Sequence, residues 1–123
     1  MLIQYLKSKI HMAVITDAQP DYVGSLTIDL DLMEASGLAP NQKILVTNGA
    51  NGNRFETYVL EGRRGAGEIC LNGPAAHMGA PGDKVVIMGF CLLTPEEARH
   101  HRPTVVFVRE GNKPALNVEA ASH

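Results

Sequence analysis

The sequence predicts a mainly β protein, a small closed barrel of six or seven strands with two or three short helices. Three observations lead there. Short apolar runs rich in β-branched residues recur along the chain. The 12 glycines and 7 prolines fall largely between those runs, so strands are short and turns many. Helix signals are confined to brief stretches, and a small set of strands is best protected by closure, which removes exposed edges. At 123 residues the chain reads as one domain, 1–123, long enough to bury a core without staples.

The elements follow in order. The amino terminus reads as strand, strongest over 9–16 (KIHMAVIT). Lys7, Lys9 and His11 interrupt it, and no small-residue cleavage site follows, so it is not a secretion signal. Asp17 to Asp21, containing Pro20, reads as a turn, and residues 22–28 resume an extended pattern. Asp29 or Asp31 caps a short helix, DLMEASG, closed by Gly37. Pro40-Asn41 turns the chain into a strand over 43–47 (KILVT). Asn48-Gly49-Ala50-Asn51-Gly52 is a hairpin signal. Residues 53–60 (NRFETYVL) then alternate, with Arg54, Glu56 and Tyr58 on one side and Phe55, Thr57 and Val59 on the other.

Gly62 to Gly67 (GRRGAG) is a loop with Arg63-Arg64 solvated, and its glycine spacing is not a dinucleotide fingerprint. Residues 68–71 (EICL) form a strand that leaves through Asn72-Gly73-Pro74-Ala75-Ala76-His77 into one helical turn. Residues 83–93 (DKVVIMGFCLL) are a long apolar strand buried on both faces. Thr94-Pro95-Glu96-Glu97 is a capping box with proline at the first helical position. Residues 104–108 (TVVFV) add a strand, and a polar tail follows Glu110.

Composition narrows function. A net charge of −2 gives no broad basic face for nucleic acid and no polybasic membrane signal. No apolar run approaches the ~20 residues that span a bilayer. Cys70 and Cys91 are the only cysteines and form no CxxC, which fits a reducing compartment, the cytoplasm. His11, His77, His100 and His101 have no metal-site spacing, and His123 is terminal with no evident role, so no metal is expected. Asp29 and Asp31 are explained by capping, and Cys70 and Cys91 read as small core residues.

The chemically informative feature is Gly24-Ser25, in the run Tyr22-Val23-Gly24-Ser25-Leu26-Thr27. A serine hydroxyl can attack the carbonyl of the preceding glycine, whose missing Cβ lets the backbone bend to that geometry. The amide becomes an ester. Elimination then breaks the chain and leaves a ketone, a pyruvoyl group, at residue 25. On the strand that follows the hairpin, Arg54 can clamp a carboxylate and Tyr58 can deliver a proton. Electrophile, anchor and acid together make a recognisable toolkit. Side chains fill so small a barrel, so the site belongs at a rim or between subunits.

At this point the residues resemble a family. Lys9-Ile10-His11, Tyr22-Val23-Gly24-Ser25, Asn51-Gly52-Asn53-Arg54-Phe55-Glu56-Thr57-Tyr58, Asn72-Gly73-Pro74-Ala75-Ala76-His77, Pro95-Glu96-Glu97-Ala98-Arg99 and Arg102-Pro103 together, in their order and spacing, resemble the motifs of the pyruvoyl-dependent aspartate 1-decarboxylases. The resemblance runs over essentially the whole chain. It implies a double-psi β-barrel and cleavage between Gly24 and Ser25, giving a 1–24 β chain and a pyruvoyl-capped 25–123 α chain. Thr57 would hydrogen-bond the carbonyl under attack. The covalent pyruvoyl group from Ser25 would form a Schiff base with L-aspartate and accept the electron pair released as CO2 departs. Tyr58 would protonate the carbanion. Arg54 and Lys9 would hold carboxylates, and Gly73, Pro74 and Ala75 would line the pocket together with Thr57. The product, β-alanine, would feed pantothenate and coenzyme A synthesis. The resemblance further implies a homotetramer with sites between subunits, and a maturation factor as a partner where cleavage is assisted.

Two positions depart from the family pattern. Its usual loop is Asn-Gly-Ala-Ala-Ala-His, whereas position 74 here is proline, which lacks an N–H and fixes φ. Glu56 replaces a small polar residue and shares a face with Arg54, for which it could compete. Two other readings stay open: an uncleaved barrel that binds a peptide or acidic metabolite, and a pyruvoyl enzyme acting on a different amino acid.

Overall fold

The structure, a computed structural model, describes residues 1–115 and the backbone of 119–120. The fold is mainly β. In chain order the strands are β1 (Ile3–Val14), β2 (Asp17–Gln19), β3 (Ser25–Asp29), β4 (Lys43–Asn48), β5 (Arg54–Gly62), β6 (Ile69–Asn72), β7 (Lys84–Leu93), β8 (Thr104–Arg109), β9 (Lys113–Pro114) and β10 (Glu119–Ala120). Seven of these are four residues or longer, and β2, β9 and β10 are shorter. Helix α1 (Leu30–Ser36), a 3₁₀ turn (Gly73–Met78) and α2 (Pro95–Ala98) complete the chain. No helix is long and apolar enough to cross a membrane among the described residues.

The strands pair in the order β10-β8-β1-β7-β4-β5-β3-β6-β2, with β9 on β8. Parallel and antiparallel pairs mix. β3 runs parallel to β5 and antiparallel to β6, while β1 runs antiparallel to β7 and parallel to β8. Each strand alternates, and the inward set, including Ile10, Leu26, Ile44, Val46, Leu71 and Ile87, forms one buried core.

Local signals hold where chemistry is local. Asp29 caps α1, its carboxylate accepting from Asp31 N at 2.8 Å, and Gly37 ends the helix at φ 73°. Thr94 and Glu97 form the reciprocal capping box ahead of α2. The Asn48–Gly52 turn closes with Gly52 N donating to Asn48 O at 2.8 Å.

Three expectations are corrected. Asp17–Gln19 is a strand, because it pairs in parallel with Cys70–Asn72, a partner remote in sequence. Tyr22 and Val23 are exposed, and the extended run begins only at Ser25. β7 is not buried on both faces. Val85, Ile87 and Gly89 face inward, while Val86, Met88 and Phe90 are half-buried. Arg63 and Arg64 lie in an exposed turn as expected, and the Arg64 guanidinium also forks onto Glu34 at 2.7 and 2.8 Å and reaches Asp31 at 2.6 Å. Of the polar tail, His123 lies outside the described residues.

The GRRGAG loop is anchored by the same carboxylate that caps α1. Asp29 is buried, and it accepts from Gly65 N at 3.1 Å and Gly67 N at 2.6 Å. Asn112 locks the neighbouring turn, accepting from Val14 N and donating to Val14 O and Gly67 O, each at 2.8 Å.

Candidate active site

Ser25 is the first residue of β3, and its register sets the site. It sits opposite Asn72 across the antiparallel ladder, and Thr27 sits opposite Cys70. Alternation puts these four side chains on one face, while Leu26, Ile28, Ile69 and Leu71 fill the core behind. Asn72 Nδ2 donates to Ser25 Oγ at 3.0 Å and to Thr27 Oγ1 at 2.9 Å. The Ser25 hydroxyl faces Val23 O at a longer 3.5 Å. Ser25 is fully buried, so its hydroxyl is held by protein groups rather than by bulk water.

Gly24 is pressed by the opposite turn. Gly73 adopts φ +66°, a left-handed conformation open to glycine. A Cβ there would come within 2.6 Å of Gly24 Cα and 2.8 Å of Gly24 N. Pro74 lies in the first turn of the 3₁₀ segment, where its missing N–H costs nothing, and its Cδ lies 3.4 Å from where a Gly24 Cβ would stand. The Gly24–Ser25 peptide thus passes a wall of Asn72, Gly73 and Pro74.

A cavity of about 460 Å³ opens on this wall, bordered by Ser25, Thr57, Tyr58, Asn72, Pro74 and Ala75. Strand β5, parallel to β3, supplies Thr57 and Tyr58. Both faces of β5 therefore reach the cavity mouth, although alternation assigned these two residues to opposite sides. A larger cleft of about 570 Å³, beside Asn112 and Lys84, holds none of the residues singled out from sequence.

Of the expected site residues, Gly24, Ser25, Thr57, Tyr58, Pro74 and Ala75 meet at this cavity, with Gly73 against Gly24. Lys9 and Arg54 do not border it within one chain. Lys9 lies on β1 between Met88 and Val105, and Arg54 is exposed at the start of β5. Glu56 does not engage Arg54; its carboxylate pairs with Lys43 at 3.2 Å.

Asn72, which borders the cavity, and Cys70, which does not, are the cross-strand neighbours of Ser25 and Thr27 that sequence reasoning missed. Asn72 looked like a turn residue and Cys70 like core filling. The signal that finds them is register: Ser25/Thr27 and Cys70/Asn72 share a spacing of two, which matters only once β3 and β6 are known to pair. The histidines are dispersed. His101 Nε2 meets Leu6 O at 2.7 Å, and His11 stands edge-on to Phe107. Among the described residues, no group of three or more His, Cys, Asp or Glu could hold a metal ion.

With this geometry established, comparison with known proteins is decisive. The family model described as aspartate decarboxylase matches residues 1–115. The chain belongs to the aspartate decarboxylase family. The family assignment makes it a decarboxylase, a carboxy-lyase. Its similarity to curated members is high throughout. It is 58% identical over 113 residues to aspartate 1-decarboxylase of Caldicellulosiruptor saccharolyticus, covering 92% of this chain and 88% of the relative. It is 54% identical over 120 residues to that of Acetivibrio thermocellus, covering 98% and 94%. With the Clostridium acetobutylicum protein of the same name, identity is 50% over 123 residues, covering 100% and 97%.

Proposed function

We propose that the chain is a self-processing enzyme that removes the α-carboxyl of L-aspartate to give β-alanine and CO2, using a pyruvoyl group made from Ser25. The observation that carries this reading is the buried Ser25 hydroxyl, hydrogen-bonded by Asn72 and bordering a cavity shared with Thr57 and Tyr58.

Maturation balances as follows. Ser25 Oγ attacks the Gly24 carbonyl carbon, the Gly24–Ser25 C–N bond breaks, and the Oγ proton passes to the freed amine. Loss of the Ser25 Cα proton then breaks Cβ–Oγ and releases residues 1–24 with a carboxylate. One water enters, one ammonia leaves, and residue 25 carries a ketone at the head of 25–123. Asn72 N–H supports Oγ as its proton departs, and Thr57 is assigned to the Gly24 carbonyl. The site suits such a group, being buried behind and open to the cavity in front.

The pyruvoyl ketone supplies a covalent anchor for the substrate amine and a sink for the electron pair left by CO2. The chain's own residues do the rest. Tyr58 delivers the proton that replaces the lost carboxyl. Lys9 and Arg54 hold substrate carboxylates, and since neither borders the cavity within one chain, we read the site as completed between the subunits of a homotetramer. Gly73, Pro74 and Ala75 form the pocket's backbone edge. We read the strand path as a closed double-psi barrel. Its support is that β1 continues into β2 through Ile15-Thr16, with Thr16 N donating to Ile69 O at 2.8 Å. The two free cysteines suit the cytoplasm, where β-alanine would enter pantothenate and coenzyme A synthesis.

Intact-mass measurement followed by borohydride trapping with labelled aspartate tests the proposal. Two fragments split after Gly24, with label on residue 25, are expected. Cleavage that occurs only after a cell extract is added identifies a maturation factor. One unlabelled full-length chain under both conditions overturns the reading.

A further inference from the structure

Cys70 is buried at 2% exposure on β6, directly opposite Thr27. Its Sγ lies 3.2 Å from Asn72 Oδ1, within reach of a thiol hydrogen bond, while Leu71 O is farther, at 4.0 Å. Burial raises the thiol's pKa, and the carboxylates of Asp17 and Glu68 raise it further, so the sulfur keeps its proton. A protonated thiol is a weak donor, and the nearest acceptor is the Asn72 side-chain oxygen.

Asn72 has two amide hydrogens, and both are used: one goes to Ser25 Oγ and the other to Thr27 Oγ1. Its oxygen has one side-chain donor, Cys70. The amide is therefore fixed at three corners. Turned over, it would aim its oxygen at the two hydroxyls, and Ser25 Oγ would lose the donor that supports it when its proton leaves. We infer that Cys70 is a positioning residue for chain cleavage, its S–H holding the Asn72 amide in the orientation that donates to Ser25 Oγ.

This inference rests on the self-cleavage reading and adds a separable consequence. Ser25 Oγ leaves with the Gly24 carboxyl, so the matured site no longer contains the atom that Cys70 serves through Asn72. Cys70 should govern how fast the chain cleaves and not how fast cleaved enzyme turns over. Residues that only fill space would not split the two rates in that way.

The test follows cleavage by intact mass in the parent, Cys70→Ala and Cys70→Ser chains, each fully folded by thermal melting. Turnover is then measured per cleaved chain. Loss of one neutral hydrogen bond predicts cleavage about fivefold slower in Cys70→Ala. Cys70→Ser, which restores a donor, should return within about twofold of the parent, and turnover per cleaved chain should match in all three. Cys70→Ala cleaving at the parent rate, or Cys70→Ser as slow as Cys70→Ala, overturns the inference and leaves self-cleavage standing. A parent that never cleaves overturns both.

A variant that fails to fold is covered by a measurement on the native thiol. In a Cys91→Ala chain only Cys70 carries S–H. Its infrared S–H stretch should fall below that of a free thiol, and a band at the free-thiol position overturns the inference.

Discussion

Gly73 and Gly24 touch backbone to backbone, so closely that a methyl group on Gly73 would come within 2.6 Å of Gly24 Cα. This contact joins the turn after β6 to the bond that is proposed to break. Gly73→Ala must therefore displace either the turn or Gly24. The left-handed φ alone costs about 1–2 kcal/mol for a residue with a Cβ, and the clash adds to it. We expect a lower urea midpoint and an almost uncleaved chain by intact mass. Full cleavage at normal stability would mean that this wall does not shape the Gly24–Ser25 peptide.

Tyr58 borders the cavity from β5, on the strand parallel to the one that begins with Ser25. In the proposed reaction its proton is delivered only after maturation. Tyr58→Phe should cleave at the parent rate, and its kcat should fall about 10²–10⁴-fold, the usual worth of a positioned general acid. Equal turnover in the cleaved variant would remove Tyr58 from that role.

Much of the fold was readable because its signals are local. Asp29 and Gly37 bracket α1, and Thr94 with Glu97 opens α2, through contacts made within a few residues. What was not readable depends on partners far along the chain. β2 looked like a turn because its strand character comes from pairing with β6, some fifty residues away in sequence. The ion pairs of exposed Arg64 were not readable, because Glu34 and Asp31 meet it only after the loop folds back on α1. The site divides in the same way. Ser25, Thr57 and Tyr58 stood out by chemical type, whereas Asn72 and Cys70 acquire meaning only from the β3–β6 register.

Pro74 is the chain's own variation on the family loop, and the structure gives its consequence a direction. A proline Cδ occupies the side of the residue from which an N–H would otherwise point. Here that side faces Gly24. Pro74→Ala should therefore act on maturation more than on substrate. Losing the ring's rigidity should lower folding stability by about 0.4–1 kcal/mol, and cleavage should slow if Gly24 relies on that buttress. KM for aspartate should stay within about twofold. A KM change with unaltered cleavage would instead make position 74 a substrate contact.

Asp29 links stability to pH. Burial pushes its pKa up, but N–H donors from Asp31, Gly67 and Gly65, helped by Lys113, outweigh burial and hold the carboxyl below its ordinary value of 3.8. A depressed native pKa means that the unfolded chain binds the proton more readily. The carboxylate's contribution is then fully present above about pH 4 and is lost as pH falls through the lower native value. Asn at position 29 can still cap α1, yet it carries no charge to attract the loop donors. Hydrogen bonds to a charged group contribute about 1.5–3 kcal/mol, so Asp29→Asn should lose roughly that much in urea unfolding at pH 7. At pH 3 the gap between the two proteins should narrow, because there the unfolded chain's Asp29 is largely protonated while the folded carboxyl, with its lowered pKa, resists the proton. A gap that stays constant between pH 7 and pH 3 would show that the ionised carboxylate is not what holds the Gly62–Gly67 loop to the start of α1.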